Sequence, residues 1–448
     1  MTKMQRVPSL VLVVLLTVTL GLILSTTIYA KTTIRFMGWG SLQEKNNVEK
    51  AIARFEQENP DIEIQWIHVP ENYLQKLQIM IAGGTPPDVF WVATDYYQEF
   101  ASKGLLYDIT KFLESDPEIG APDYFIQPQE KDRMYINGKA YGIGSCWVSI
   151  HLYYNKDIFE AAGVELPPSD PDGAWTWEEF EEIAARLTVD SKGRTALDAG
   201  FDPNDVVQFG VNIPTWWLPL LSVIWSNGGT FYNDDYTAFT VDDPKTLEAL
   251  DRIADLMKRG IAPRSAAFQQ VGMTAQQMLA TGKVAMHISG SWELQDLALM
   301  DFELGTGIVP RPRDGKPATA IQAHMHGIYA GTKYPKEAWR LLRFISSDEY
   351  QRDLVAAGLW LPSHTSLMTE EGINSWWNPA VHPPEYVSVG LDYMDKYGIT
   401  VVMPPGATKG IQAFEQALDP VWLGRETAAD AMKKALPQMN EALKEAAE

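Results

Sequence analysis

Four short stretches hold the residues whose types and spacing best suit chemistry: IRFMGWGS (34–41), NIPTWWLPLL (212–221), HISGSWEL (287–294) and IQAHMHGI (321–328). In the first, Trp39 ends a run that reads as a strand, and Gly38 and Gly40 give its ring no local cover. Such a ring is covered either by another part of the chain or by a ligand. Trp292 likewise follows a strand and a Gly-Ser turn. Trp216 and Trp217 are adjacent, so their rings point in different directions, one packing inward and the other facing a cleft. An aromatic face offers dispersion surface and negative quadrupole density, which suits C–H groups carrying partial positive charge. His324 and His326 stand two apart in a strand and share a face, a spacing that can hold a metal. No other Cys or His is close in sequence, so no metal site is expected. Hydrogen bonding to a ligand and a structural role both stay open for the pair.

These loops need elements to position them. TIRFMG reads as a strand, and Val48, Ala51, Ile52 and Phe55 mark one face of a helix from about 47 to 57, closed by Asn59-Pro60. IEIQWIHV alternates as a strand, YLQKLQIMIAGG is an amphipathic helix, and PDVFWVA is a short apolar run of the kind buried in a parallel sheet. Strand, helix, strand, helix, strand is the pattern of an α/β lobe. Further on, Thr176 and Glu179 form a capping-box pattern ahead of Phe180, Ile183, Ala184 and Leu187.

Composition narrows the class. Lys3 and Arg6 precede an apolar run from Leu10 to Leu24, which is shorter than the ~20 residues of a spanning helix. Residues 1–30 are therefore expected to be a cleaved signal peptide, with cleavage after Ala30 and an extracytoplasmic destination. Cys146 is the single cysteine, so no intramolecular disulfide is available. The 448 residues suffice for two domains with a sizeable core. A formal charge of −21 repels phosphate backbones and anionic lipid, which argues against nucleic acid or bare membrane as a partner.

The ordered series RFEQENPDIEIQ, AGGTPPDVFW, KGLLYDIT, NGKAYGI, YYNKDIFEAAGVELPPSDPDGAWTWEEF, NGGTF, LMKRGIAP, ATGKVAMHISGSW and KEAWRLLRFISSDEYQ resembles the extracellular sugar-binding proteins of ABC importers. That group includes the maltodextrin-binding proteins. The resemblance runs along essentially the whole mature chain, each motif alone being mainly structural. It implies an α/β, two-lobed, periplasmic-binding-protein type II fold with three interlobe crossings and a ligand cleft between the lobes. Crossings near Gly144-Ser145, Gln322-His326 and Ser363-Gly372 give an N-terminal lobe of 31–143 plus 327–363 and a C-terminal lobe of 146–321 plus 373–448. Small-molecule sites favour such domain interfaces and strand ends.

The resemblance also assigns roles. The function it implies is capture of a sugar, an oligosaccharide, and its delivery to membrane-embedded permease subunits by a monomer with no catalysis and no cofactor. A pyranose ring offers a C–H face for stacking and a hydroxyl rim for charged acceptors. Trp39 and Trp292 are the expected stacking rings, Trp292 matching the sugar-stacking tryptophan of the maltodextrin-binding relatives. Asp95, in WVATDYY, aligns with a hydroxyl-binding carboxylate of that group, unless it caps the following helix. One of Trp216 and Trp217 faces the cleft, while Trp147 and Trp360 lie near crossings, where ligand contact and core packing both remain open. His324 and His326 depart from the small residues that relatives carry there, which points to ligand hydrogen bonds. The alternatives are the same fold binding a polyamine, a glycerophosphate ester or iron, or a secreted glycoside hydrolase with paired carboxylates.

Overall fold

The computed structural model describes residues 31–126, 133–264, 272–322 and 324–447, so the expected leader at 1–30 lies outside the described residues. Alternation of Ile34 and Phe36 toward the core makes Thr32–Gly38 a strand, β1. Helix α1 follows at Leu42–Glu58 and buries Val48, Ala51, Ile52 and Phe55, the stripe the spacing predicts. It starts five residues earlier than that stripe alone indicates. Ser41 caps it, its hydroxyl accepting from the Glu44 N–H at 3.2 Å, and the cap extends the helix across polar residues. β2 (Ile62–His68), α2 (Tyr73–Ala82) and β3 (Val89–Val92) follow, the last fully buried as its apolar run predicts. Next come α3 (Thr94–Ser102) and the short strand β4 (Gly142–Gly144).

The chain then builds a second sheet. Its strands are β5 (Val148–Asn155), β6 (Val189–Asp190), β7 (Val206–Asn212), β8 (Val284–Gly290), β9 (Leu304–Gly307) and β10 (Thr319–Gln322). Helix α4 (Trp177–Leu187) opens with the expected capping box, in which the Thr176 hydroxyl and the Glu179 carboxylate bond each other's backbone. Helices α5 (Trp217–Ser226) and α6 (Leu294–Leu297) begin at the two tryptophan loops of this half. After β10 the chain returns to the first sheet as β11 (Met325–Ile328), and later adds β12 (Gly398–Thr400) to the second.

The first sheet has the order β2-β1-β3-β11-β4, parallel except for β11, which runs antiparallel to both neighbours. The second has the order β12-β10-β5-β8-β7-β6, with β9 also paired to β5. Each sheet has its own apolar core. One core draws on residues 34–148 and 325–360, the other on 150–320 and 389–443. A third cluster, including Trp147, Leu294, Leu361, Trp376 and Tyr386, joins segments from both. The passage from β4 to β5 takes three residues and that from β10 to β11 takes two, so backbone from either sheet meets at these points.

Candidate ligand-binding cleft

Where the crossings meet, a cavity of ≈ 320 Å³ is lined by residues from both sheets. Trp39 forms one wall at the end of β1. Three rings hold it edge-on: Tyr73 at 4.8 Å between centroids, Trp91 at 5.3 Å and His324 at 4.9 Å. The Tyr73 hydroxyl donates to the Trp91 carbonyl at 2.7 Å and so pins this cluster. Trp39 is therefore partly covered by its own lobe and still lines the cavity.

The opposite wall is Trp292 and Trp216, with ring centroids 6.0 Å apart. Trp292 packs against both main cores. Its ring folds back over the end of β8, and a Cβ on Gly290 would lie 1.9 Å from it, so this conformation requires glycine there. Trp216 is 40% exposed and lines the cavity. Trp217 turns away: it opens α5, its N–H donates to the Glu415 carboxylate at 2.9 Å, and its ring packs on the larger core. The adjacent pair thus divides as the sequence requires, with Trp216 the outward member.

Trp360 closes the back of the cavity with its ring 3% exposed, 5.1 Å from His324 and 5.8 Å from Trp91. Besides Trp217, two more expected site residues, Trp147 and His326, are not brought to this wall. Trp147 is buried in the third cluster under the Arg133 guanidinium, 4.0 Å from its ring, and its backbone pairs with Leu361 in both directions. Proximity to the crossing made it a structural clamp. His326 shares a face with His324, their rings 5.3 Å apart, yet it is fully buried among Phe36, Trp91 and Tyr350, and only His324 lines the cavity. The side chain of Asp95 lies outside the described residues; its backbone is inside the first turn of α3, whose cap position is Ala93.

Sequence reasoning missed the polar wall. Ser41, Glu44, Gln295, Asp296 and Gln322 all line the cavity. The Ser41 hydroxyl, besides capping α1, donates to Asp296 Oδ1 at 3.4 Å and accepts from Gln295 Nε2 at 3.5 Å, contacts that cross between the lobes. Burial pushes the Glu44 carboxyl up to about 8, the Ser41 N–H opposes this, and the Asp296 charge adds to it. Asp296 is also pushed up, by burial first and then by Glu293 against the Ser41 hydroxyl bond. The one available signal was the Ser-x-x-Glu spacing of Ser41 and Glu44, a capping pattern next to Trp39.

Among the described residues, two buried polar atoms of side chains that line this cavity have no hydrogen-bond partner: Nε2 of His324 and Oε1 of Gln295, in residues 7% and 3% exposed. Leaving such groups unpaired costs about 1–3 kcal/mol each, so they mark where a polar ligand atom is wanted. Burial, with lesser contributions from His326 and Arg133, drives His324 well below the ordinary histidine value, so it presents a neutral imidazole. Beyond the Trp216–Trp292 pair, a second chamber of ≈ 280 Å³ continues the cleft. Among the described residues, no group of three or more His, Cys, Asp or Glu is placed to hold a metal.

Two α/β lobes with separate cores, joined by short crossings and enclosing a chamber with aromatic walls and unpaired polar atoms, define a protein that captures a small solute. The chain belongs to the bacterial extracellular solute-binding protein family, which residues 39–352 match. A putative binding protein of Brucella abortus is 25% identical over 324 residues, 70% of this chain and 72% of that one. The galactooligosaccharide-binding protein of Bacillus subtilis is 22% identical, spanning 75% of this chain and 74% of the other. The maltotriose-binding protein of Pyrococcus abyssi is 22% identical, over 64% of this chain and 57% of its own length. Among solved structures, an ABC substrate-binding protein of Listeria monocytogenes in complex with cycloalternan superposes with a TM-score of 0.81 at 24% identity, covering 92% of this chain and 99% of the other. Maltose-bound MalE3 of T. maritima gives 0.74 at 19% identity, covering 92% and 99%. Both share the two-lobed α/β fold.

Proposed function

We propose that the protein captures an oligosaccharide outside the membrane and presents it to the permease subunits of an ABC importer, with no catalysis of its own. The observation that carries this reading is the cavity bounded by Trp39, Trp216, Trp292 and Trp360, whose remaining wall is polar, formed by Ser41, Glu44, Gln295, Asp296, Gln322 and His324. Stacked rings take the C–H faces of a pyranose, and the polar atoms take its hydroxyls. Relatives named for maltotriose and galactooligosaccharide binding support the ligand class.

On this reading the lobes are 31–143 plus 327–363 and 146–321 plus 373–448, and closure on the ligand is a shift toward a closed population. The mature protein is a monomer exported by the leader at 1–30 and free of it from Lys31. A thermal-shift panel of mono- and oligosaccharides, a polyamine and a glycerophosphate ester tests the ligand class. Saturation at a hundred times Kd adds about 2.7 kcal/mol. Stabilisation by a non-sugar member in place of any sugar would overturn the reading. Chromatography of each sugar after incubation should show no cleavage, and any turnover would restore the hydrolase alternative.

A further inference from the structure

The turn that carries Trp39 is folded around a carboxyl. Gly40 holds a φ of +114°, and a Cβ there would run into the Glu44 carboxyl, so the Glu44 side chain takes the space that only glycine leaves. Glu44 is 6% exposed and accepts from the Ser41 N–H. On the other side of the same serine stands Asp296, from α6 of the second lobe, which accepts from the Ser41 hydroxyl at 3.4 Å. Gln295 Nε2 donates to that hydroxyl at 3.5 Å. Two carboxyls from opposite lobes thus meet on one serine.

This wall is short of donors. It offers the Ser41 N–H and hydroxyl and the Gln295 amide to two carboxyls and to Gln295 Oε1, which has no partner among the described residues. No Lys or Arg among the described residues lines the cavity. Lys45, the next residue on α1, pairs instead with Glu49 at 2.9 Å. The other titratable groups around the pair are the Tyr350 hydroxyl from the helix Asp348–Ala356, His324 from the second crossing, His68, 2.8 Å from the Gly40 carbonyl, and Glu293, whose charge acts on Asp296. Burial raises Glu44 and the Asp296 charge adds to it, while Asp296 is raised by its own burial and then by Glu293. Glu44 packs against Gly40 of its own lobe and keeps that cover when the lobes part. The nearby Asp296 charge, and the cover that Ser41 gives Asp296, are lost.

We propose that lobe closure is proton-coupled: seating Asp296 on Ser41 beside Glu44 sets two negative charges in one poorly hydrated wall, so closing draws a proton onto the pair, and sugar capture weakens as pH rises. This rests on the reading of capture by lobe closure. Like charges repel strongly where water is scarce, and a proton taken up from solution turns one carboxyl into a donor. The closed state then binds more protons than the open one, which favours closure at lower pH and withdraws that advantage as pH rises.

Calorimetry on the full mature chain reads the proton directly. Maltotriose is titrated in phosphate and in Tris, whose ionisation enthalpies differ, and the difference in heat gives the protons taken up. Where maltotriose does not bind, the most stabilising sugar of the thermal-shift panel replaces it. At pH 7.5 a histidine of ordinary value, about 6.5, is almost wholly neutral with the lobes open or closed, so the signal belongs to the carboxyls. The unaltered protein should take up about 0.3 proton or more per sugar at pH 7.5, and its affinity should fall about twofold or more by pH 8.5. Asp296→Asn keeps an acceptor for the Ser41 hydroxyl and removes the opposing charge, so uptake should drop below about 0.1 proton whatever the affinity. Glu44→Gln should also lower uptake, and it carries the test if Asp296→Asn does not fold. Glu49→Gln, at an exposed carboxyl on the same helix, should leave uptake unchanged. No uptake by the unaltered protein, release in place of uptake, or uptake untouched in both Asp296→Asn and Glu44→Gln would overturn the coupling while leaving sugar capture intact. An unaltered protein that binds no sugar of the panel overturns the capture reading, and the coupling with it.

Discussion

The two walls of the cleft are built from the same residue type in opposite ways. Trp39, on the first lobe, is clamped edge-on by Tyr73, Trp91 and His324 and lies partly buried before any ligand arrives. Trp216, on the second lobe, is 40% exposed, and its neighbours are two other tryptophans at 6.0 and 6.2 Å. A clamped ring loses little freedom on binding and is already desolvated along its edges. An exposed ring gains more from being covered and gives up more mobility to be covered. On the proposed reading, the first lobe supplies a preorganised platform, and the second supplies the surface whose burial rewards closure.

The largest expected effects come from rings that belong to neither wall. Trp147→Ala removes a fully buried indole from the third cluster and should cost about 3–5 kcal/mol of folding stability. Sugar affinity measured well below the melting temperature should hold within a few-fold. A variant that unfolds normally and loses its ligand would return Trp147 to the site.

Next is the pair that tests the comparison directly. Trp39→Ala and Trp216→Ala should each lose about 2 kcal/mol of binding, roughly thirtyfold. Their effects on folding should differ. Trp39→Ala breaks three ring contacts, each worth ~0.5–1.5 kcal/mol, and should lower the denaturant midpoint clearly. Trp216→Ala should shift stability by less than about 1 kcal/mol, being exposed in the free protein. Equal stability losses would erase the difference between the walls. A Trp39→Ala protein that binds normally and unfolds early would make that ring core and not site.

The sequence made one kind of feature legible and hid another. Periodicity and capping chemistry are local, so the stripe of α1, the buried run of β3 and the Thr176–Glu179 box could be read directly. The spacing of His324 and His326 placed both on one face, as observed, but how far each ring reaches past its sheet is set by Phe36, Trp91 and Tyr350, packed against them from other segments. The choice between Trp216 and Trp217 depended in the same way on Glu415, some two hundred residues away, which receives the Trp217 N–H. Ser41, Glu44, Gln295 and Asp296 were invisible for a related reason. Each is an ordinary polar residue at a helix start, and it becomes part of a site only when the lobes bring residues 41 and 296 into hydrogen-bonding distance.

The remaining prediction concerns charge on the clamped wall, and it is read as a slope with pH. Glu44 has an ordinary value of 4.5 and is pushed up to about 8 when folded, burial being the main cause. Between those values the unfolded chain has lost the proton and the folded chain keeps it. Stability therefore falls as pH rises through this window, by about 1.4 kcal/mol per pH unit for one such proton. The buried His324 and His326 have the opposite sign: their folded values are depressed below 6.5, so they cost stability only as pH falls below that point. The interval from pH 6.5 to 8 thus isolates the carboxyls. Asp296 is raised too, so its contribution has the same sign, stability falling as pH rises through its raised value. Glu44→Gln removes the Glu44 contribution, keeps an amide that can accept from the Ser41 N–H, and should flatten the slope in this interval, gaining on the unaltered protein with every step toward pH 8. Urea midpoints at pH 6.5, 7.25 and 8 give the comparison. Parallel curves for the two proteins would mean that the Glu44 carboxyl is already ionised at neutral pH and that the first wall is wetter than its packing implies.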